Sequence, residues 1–356
     1  MRQIGLIFSI IGLSVVLIVT GFIATRWRYV GSTSSGRVLA YGASSNFLTN
    51  VERQRRPYPS KLPAPEVIKF PQNPFPVMTV WFMGRTGNLM FQYAALCAIS
   101  KHYDVIPVIP VDFKLATAFE LTAPSITIKA DSIKTVLGEK SAGKFDPGTR
   151  DLRKKISGVF ASRIWGYLQS WKYFQNETDE IRKQFTFRKH IKMAAENFVQ
   201  RSAYNLSLLT SAKITTIGIH IRRGDTTTSK HLSDMGYVTV PVSYIENAMD
   251  RMTSLYGENV LFIVASDDIP WCEKNVPRKN VNVVFSKAKD PALDLAILSS
   301  CDHVIISTGS FGWWAAWLAN GTTIYYKDWP RENSTLAREF SHEDYFPPYW
   351  IGLSGK

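Results

Sequence analysis

The stretch Thr215-Thr216-Ile217-Gly218-Ile219-His220-Ile221-Arg222-Arg223-Gly224-Asp225 decides the fold. The residues before Arg222 are rich in Ile and Thr, which predicts a buried interior strand that ends at the Gly224-Asp225 turn. In an open α/β sheet the carboxyl ends of the strands face the ligand crevice, so Arg222 and Arg223 are expected there. Guanidinium groups are permanently charged and match phosphate oxygens. The motif therefore favours a phosphate-bearing ligand, and its alternative is a surface ion pair.

The tripeptide Arg223-Gly224-Asp225 is also typical of cell-adhesion loops. Such loops must be exposed, whereas this one directly follows a predicted buried strand. An adhesion role is therefore disfavoured.

Beyond Lys213 short apolar runs alternate with helical patterns. Strands are predicted at Thr215 to Ile221, Val260 to Ala265, Val281 to Phe285, His303 to Ser307 and Thr322 to Tyr326, and helices at Val242 to Leu255, Ile269 to Asn275, Pro291 to Ser300 and Phe311 to Ala319. Pro241 before the first of these helices and Asn320-Gly321 after the last are suitable start and stop signals. This alternation predicts an α/β fold with a parallel, doubly wound sheet.

Polar residues follow three of these strands. They are His220, Arg222 and Arg223 after the first, Ser266, Asp267 and Asp268 after the second, and Thr308, Gly309 and Ser310 after the fourth. Arginines suit the phosphates of a nucleotide diphosphate, the Gly/Ser turn before a helix offers amide dipoles to an anion, and Asp267 suits the adjacent donors of guanine. Helix capping is the alternative role for the Asp267-Asp268 pair and for the Gly/Ser turn.

A second strand-turn-helix unit is predicted nearer the amino terminus. Val77 to Phe82 is the strand, Gly84-Arg85-Thr86-Gly87 is a tight glycine turn, and Asn88 is the predicted N-cap of a helix from Leu89 to Ser100. The glycines allow close approach of the backbone to a ligand, and a simple tight turn is the alternative. Val105 to Ile109 is a further predicted strand, and the segment from Ser132 to Lys155 supports no prediction.

The amino-terminal segment predicts a membrane anchor. Residues 4–25 carry no charge over about 22 positions, enough to cross a bilayer, and the alternative is a cleaved signal peptide. Residues 26–76 are rich first in Ser and Gly and then in Pro, which predicts a stem. The charges of Arg26, Arg28 and Arg37 favour a cytoplasmic domain, since they outnumber Arg2. The opposite orientation is favoured by four sequons, at Asn176, Asn205, Asn320 and Asn333, which are glycosylated only in the secretory lumen.

The overall charge restricts the partners. A formal net charge of +13 fits an anionic partner in general, but the basic residues are spread along the chain rather than interleaved with aromatics. A nucleic-acid partner is therefore not expected. His and Cys show no spacing typical of zinc, so no metal is predicted. Cys272 and Cys301 are a possible disulfide in an oxidising lumen, with Cys97 as a small core residue, and the pairing is left open.

The aromatic residues have two possible roles. Those of the segment from Gly166 to Phe174 suit either sugar stacking or the core, whereas Trp313, Trp314 and Trp317 have helical spacing in an apolar stretch and are expected in the core.

The chain resembles the galactoside α-1,2-fucosyltransferases, which transfer L-fucose from GDP-fucose to the 2-hydroxyl of a terminal galactose. The resemblance spans residues 77–353 through six segments in matching order: GRTGNLMFQYA, GYLQSWKYF, GIHIRRGD, ASDDIPWC, DLAILSSCDHVIISTGSFGWWAAWLANG and DYFPPYWIGL. It implies two Rossmann-like halves of GT-B type, an acceptor-side half at 77–210 and a GDP-fucose-binding half at 211–356. It also implies a cytoplasmic tail at residues 1–3, a signal-anchor at 4–25 and a lumenal domain in the Golgi, an orientation that the sequons favour over the charge count.

The resemblance also implies roles for single residues. Arg222 is expected to hold the β-phosphate and to be the catalytic residue, with His220 and Arg223 beside the nucleotide and Asp225 supporting the arginines. The remaining predicted donor-site residues are Asp267, Thr308, Gly309, Ser310 and Phe311, and the glycine turn contributes Gly84, Arg85, Gly87 and Asn88. GDP-fucose is the expected donor and a galactose-terminated glycan the expected acceptor.

The chain departs from the family pattern in four places. Thr86 and Leu89 stand where relatives usually have Leu and Gln, which leaves the acceptor contacts of the glycine turn open. Asp267 and Asp268 stand where many members have Asn and Gly, which leaves the guanine contact open.

Transfer from β-linked donor to α-linked product implies inversion, with GDP as the leaving group. Asp225, Asp294 and Glu120 are the candidate general bases, each with a structural role as its alternative. Other possible functions are fucosyl transfer to another acceptor position or to protein, and a catalytically inactive, membrane-anchored GDP-sugar-binding relative.

Overall fold

The computed structural model describes residues 75–128 and 132–356. Within these ranges no helix is both long and apolar enough to cross a membrane. The predicted anchor at residues 4–25 and nearly all of the predicted stem lie outside the described residues. Both predictions therefore stay predictions.

The described chain forms ten strands and twelve α-helices. The strands are β1 Val77–Val80, β2 Ile106–Pro107, β3 Lys134–Gly138, β4 Ala161–Trp165, β5 Thr215–Ile221, β6 Val260–Ser266, β7 Asn282–Phe285, β8 His303–Ile306, β9 Thr323–Tyr326 and β10 Ile351–Leu353. The helices are α1 Thr86–Tyr103, α2 Arg153–Ile156, α3 Thr178–Gln184, α4 Lys189–Thr210, α5 Gly224–Thr228, α6 Lys230–Met235, α7 Val242–Tyr256, α8 Ile269–Asn275, α9 Pro291–Ser299, α10 Ser310–Ala319, α11 Thr335–Arg338 and α12 His342–Tyr345. The predicted strands and helices beyond Lys213 are confirmed, and β5 has the predicted bounds.

The strands form two sheets in which every pairing is parallel. The first has the order β2-β1-β4-β3, and the second has the order β10-β9-β8-β5-β6-β7. The second order is that of a Rossmann fold, with the strand order reversing between β5 and β8. The α/β class with parallel sheets is thus confirmed.

One hydrophobic core joins the two sheets. Helix α10 packs against β8 on one side and against α1 on the other, because it is apolar around most of its circumference. Trp313 and Trp314 are fully buried, and their rings lie 4.5 and 5.0 Å from the ring of Phe91 on α1. Trp317 is also buried, so the prediction that these tryptophans are core residues is confirmed.

The prediction that Asn88 caps the first helix is wrong. Helix α1 already begins at Thr86, with Arg85 at the N-cap position, and Asn88 lies within its first turn. The Asn88 side chain instead makes a long-range contact, because its Oδ1 accepts a hydrogen bond of 2.7 Å from Ser310 Oγ. A tertiary contact has replaced the local cap.

Candidate active site

The predicted donor-site loops meet at the point where the strand order of the second sheet reverses. Arg222 directly follows β5, and the turn from Ser307 to Gly309 follows the neighbouring strand β8. The Arg222 backbone N–H donates to Ser307 Oγ at 2.8 Å, and the Ser307 N–H donates to the His220 carbonyl at 3.0 Å. Ligands of open α/β sheets bind in the crevice at such a reversal. Ser307 was not predicted as a site residue, yet it joins the two loops.

The guanidinium of Arg222 faces the start of α10. Its Nε and Nη2 donate to the Asp225 carboxylate at 3.1 and 3.0 Å, which fixes the plane of the group. Its Nη1 points at Gly309, where an added Cβ would lie 2.5 Å away. Only 18% of the Arg222 side chain is exposed. One edge of a rigid cation is therefore left for a ligand.

The start of α10 completes this anion pocket. The helix has no side-chain cap at Gly309 among the described residues. The Phe311 nitrogen lies against Gly87, where an added Cβ would be 2.7 Å away, so the Ser310 N–H is the first amide offered to a ligand. Gly309 has φ 87° and ψ 167°, a region that is essentially restricted to glycine. A helix start beside an arginine is a suitable site for a phosphate.

Three buried polar atoms on these elements have no hydrogen-bond partner among the described residues. They are Thr308 Oγ1, His220 Nδ1 and the Tyr345 hydroxyl. His220 Nδ1 packs against Gly312 of α10, where an added Cβ would lie 2.5 Å away, whereas Thr308 belongs to the turn that precedes α10. Burial raises the pKa of Tyr345, and nearby Tyr237 raises it further whereas Arg222 lowers it. Buried polar groups are normally paired, and an anion bound at this turn would give Thr308 Oγ1 a partner.

His220 is neutral in the folded protein, because burial lowers its pKa to about 4. The unfolded chain takes up this proton near the ordinary pKa of 6.5, so stability is lost as the pH falls from about 6.5 towards 4. The difference between these two pKa values corresponds to about 3 kcal/mol of folding stability.

We expect His220→Gln to remove this part of the pH dependence of stability. Denaturant unfolding of both proteins between pH 7 and 4 measures it, and parallel curves for the two would contradict the assignment.

Arg223 points away from Arg222 and into a second cluster. Its guanidinium carbon lies 3.8 Å from the ring centre of Trp271, and its Nε donates to Asp268 at 3.2 Å. Asp268 also caps α8 by accepting from the Trp271 N–H at 3.2 Å. The capping role that was the alternative for this pair is therefore confirmed for Asp268.

Asp267 has a different set of contacts. Its Oδ1 accepts from the Arg223 backbone N–H at 2.7 Å, and its other oxygen lies against Gly224, where an added Cβ would be 2.6 Å away. The residue is nevertheless exposed at the rim. Its contact with guanine stays a prediction.

The glycine turn of the first sheet lies against the same pocket. An added Cβ on Gly87 would be 2.6 Å from the backbone of Ser310, and the Gly87 carbonyl accepts from Trp314 Nε1 at 3.1 Å. Gly84 has φ 88° and turns the chain back over Asn88. The structure thus brings the predicted glycine turn and the predicted Gly/Ser turn into direct contact.

Asp225 links the two sheets through two arginines. It accepts from Arg222 on one side and from Nη2 of Arg85, in the glycine turn, on the other. Burial opposes the charge, but the hydrogen bonds and charges of Arg222 and Arg85 hold the pKa of Asp225 below its usual value. The predicted supporting role agrees with this geometry. A carboxylate so stabilised is a poor general base.

The other two candidate bases lie elsewhere. Asp294 is in the first turn of α9 and accepts from Ser286 Oγ at 2.5 Å, and burial raises its pKa to about 6. The Glu120 side chain is exposed, and its backbone N–H donates to the Thr186 carbonyl at 2.8 Å. The geometry selects no general base from this set.

The predicted glycosylation sites and the predicted disulfide cysteines lie within the described residues. The four sequon asparagines, at Asn176, Asn205, Asn320 and Asn333, are all exposed. Cys272 and Cys301 are both free and buried, so the possible disulfide between them does not form here. In the described part of the chain no group of three or more His, Cys, Asp or Glu residues is arranged to hold a metal ion. Metal independence stays a prediction.

A cavity of about 440 Å³ lies apart from this pocket, between α3, α4, α9 and the end of α10. Its lining includes Arg182, Phe187, Glu196 and Ser299, and it contains none of the predicted donor-site residues.

Residues 50–354 match the model of glycosyl transferase family 11. Galactoside 2-alpha-L-fucosyltransferase Sec1 of Mus musculus is 30% identical over 304 residues, which are 83% of this chain and 80% of that protein. Galactoside alpha-(1,2)-fucosyltransferase 2 of Rattus norvegicus is 31% identical over 284 residues, 78% of this chain and 77% of that protein. Among solved structures, POFUT1 in complex with GDP-fucose aligns with a TM-score of 0.49 at 14% identity, over 71% of this chain and 98% of that one.

The resemblance drawn from six short segments is confirmed by these matches. The family model spans both sheets and every loop of the anion pocket. The chain therefore belongs to glycosyl transferase family 11.

Proposed function

We propose that this protein is an inverting α-1,2-fucosyltransferase that moves L-fucose from GDP-fucose to the 2-hydroxyl of a terminal galactose. The single observation that carries the proposal is the meeting of the Arg222 guanidinium with the uncapped start of α10, at the carboxyl ends of the paired strands β5 and β8. Relatives whose names state this activity cover most of the chain.

The pyrophosphate of GDP fits the pocket as follows. Arg222 Nη1 and the Ser310 N–H donate to phosphate oxygens, and Thr308 Oγ1 gains the partner that it lacks. The proposal also assigns to Asp267, exposed at the neighbouring strand end, the N1 and N2 donors of guanine. His220 stays neutral beside the nucleotide because its pKa is low, so it adds no charge.

Leaving-group stabilisation is the main task of this site. In a single in-line displacement the bond from the fucose anomeric carbon to the β-phosphate oxygen breaks while the acceptor 2-oxygen bonds to the opposite face. The acceptor hydroxyl releases its proton to water, and negative charge builds on the departing GDP. Donors that are already fixed in place stabilise such charge most effectively. The 6-deoxy sugar lacks one electron-withdrawing hydroxyl, so its ring carries positive charge more easily. This reduces the demand on a general base.

The proposal includes a lumenal domain in the Golgi, held by a type II signal-anchor at residues 4–25. It is supported by the uncharged length of that segment and by the exposure of all four sequon asparagines. Exposure is necessary for a glycan to be carried on the folded domain.

The full-length protein, purified in detergent, tests the function directly. It is incubated with labelled GDP-fucose, GDP-mannose or UDP-galactose and with galactosides, other glycans and protein acceptors, and the product linkage is determined by NMR. We expect transfer from GDP-fucose alone, to the galactose 2-hydroxyl. Product at another position or on protein would select an alternative transferase, and GDP binding without any product would indicate an inactive relative.

The same assay tests the requirement for metal. Arg222 and the α10 amides supply positive charge for the pyrophosphate, so we expect EDTA to leave the rate unchanged. Loss of activity with EDTA, restored by one divalent cation, would contradict the proposed charge compensation.

A further inference from the structure

Two tryptophans stand exposed at the carboxyl ends of adjacent strands. Trp81 follows β1 and is 50% exposed, and Trp165 ends β4 and is 48% exposed. Val80 pairs with Ile164, and the Trp81 N–H donates to the Ile164 carbonyl at 2.9 Å. Continuing this register by one residue sets Trp81 beside Trp165. The backbones of paired residues in parallel strands lie about 5 Å apart and their side chains share a face. The two exposed tryptophans therefore stand side by side on one face of the sheet and are together called the patch.

Neighbouring side chains fix the orientation of these rings. The Arg163 guanidinium lies 4.7 Å from the centre of the Trp81 ring, and it is itself held by two hydrogen bonds of 3.2 and 3.0 Å to Thr135 Oγ1. The Trp165 ring extends over Gly138, where an added Cβ would lie 3.9 Å from it. Exposing large apolar rings in water is unfavourable, and fixing them as well costs side-chain entropy. Preorganised exposed aromatics are typical of binding surfaces.

The patch lies at the ligand-binding edge of the first sheet. Trp81 and Trp165 stand at the carboxyl ends of the parallel, adjacent strands β1 and β4, the edge outside which ligands of open α/β sheets bind. Trp81 lies four residues before Arg85, which is at most about 14 Å of chain, and Arg85 bonds the carboxylate that fixes Arg222. The side chain of Gln92 binds the backbone that follows each tryptophan. Its Nε2 donates to the Gly166 carbonyl at 2.8 Å, and its Oε1 accepts from the Met83 N–H at 3.1 Å.

We propose that Trp81 and Trp165 form the acceptor subsite, on which the apolar face of a galactoside stacks. The proposal rests on the proposed function and adds the residues that hold its second substrate. Galactose presents a face of C–H groups that matches an indole ring, and the Arg163 guanidinium beside the patch donates to sugar hydroxyls. Stacking here orients the galactose towards the first turn of α1 and the anion pocket.

The test uses full-length protein with Trp81→Ala, Trp165→Ala and the double variant. Tyr204→Ala is the matched control, because Tyr204 is an aromatic residue of α4 with 61% exposure outside this patch. Lactose is titrated by NMR in the presence of GDP, and GDP affinity is measured separately. We expect the Kd for lactose to rise at least about tenfold in the double variant, with Trp→Phe variants intermediate and GDP affinity unchanged. In turnover the acceptor KM rises and the donor KM does not.

Several results would overturn the subsite. One is unchanged lactose binding in the double variant, and another is an equal loss of lactose and GDP binding. A shift in sedimentation from dimer to monomer without a change in lactose binding would identify the patch as an interface between copies. Failure of the wild type to transfer fucose would overturn the proposed function alone, since the lactose titration decides the subsite without turnover.

Discussion

Arg222→Ala is expected to lower kcat/KM for fucosyl transfer by roughly 10²- to 10³-fold, a loss of about 2.7 to 4 kcal/mol of transition-state stabilisation. Its Nη1 faces the start of α10, and its other edge is fixed by Asp225. This hydrogen-bonding group is therefore in place before negative charge develops on GDP. Arg222→Lys should recover little, because an ammonium cannot bond the carboxylate in a fork and reach Gly309 at the same time. Initial rates with GDP-fucose and lactose measure the effect.

Arg223→Ala is the matched control for this prediction. It removes a neighbouring guanidinium from the same strand end, but that group is bonded to Asp268 and packed on Trp271 rather than facing α10. We expect Arg223→Ala to lower kcat/KM clearly less than Arg222→Ala does. Thermal unfolding of both variants checks that each is folded. Equal losses in the two variants would show that general charge, rather than the position of Arg222, supports the reaction.

Gly309→Ala is expected to lower the transfer rate by about 100-fold, since small misplacements of a catalytic group have effects of this size. Two consequences combine in this variant. Alanine is strained at φ 87° and ψ 167°, and its Cβ would lie 2.5 Å from Arg222 Nη1, so the guanidinium must move. Rates and GDP affinity should fall together, as both depend on that edge of the arginine.

Gly257→Ala separates strain from displacement. Gly257 ends α7 with φ 83° and ψ −177°, nearly the backbone conformation of Gly309, and an added Cβ there meets nothing within 4 Å. We expect both variants to lose about 1 to 3 kcal/mol of unfolding free energy, and only Gly309→Ala to lose activity. Full activity in Gly309→Ala would mean that Arg222 accommodates the methyl group, and the pocket would then be less rigid than its hydrogen bonds indicate.

The sequence predicted those elements whose formation depends on local pattern. The bounds of β5 follow from its β-branched residues and from the turn at Gly224, and α10 follows from an apolar run between Gly309 and Asn320. The convergence of Arg222 with the Gly/Ser turn followed from one topological rule, because parallel strands present their carboxyl ends at one edge.

What the sequence did not predict depends on contacts between distant residues. The capping pattern at Asn88 was interpreted locally, whereas its side chain accepts a hydrogen bond from Ser310 at the start of α10. Arg85 and Asp225 were both expected at the site, but 140 residues separate them and no local signal indicates their ion pair. The segment around β3 has a polar sequence with a single buried position, so neighbouring elements decide its structure.

Helix α10 is in contact with α1 as well as with its own sheet, and this has a consequence for how the enzyme can move. Trp313 and Trp314 would have to leave Phe91 if the two sheets and their helices swung widely apart. Separating such rings would expose several fully buried aromatic side chains, at about 25 cal/mol for each Å² of apolar surface. We therefore expect the cleft to stay assembled during catalysis, with substrate entry and product release accommodated by small loop adjustments.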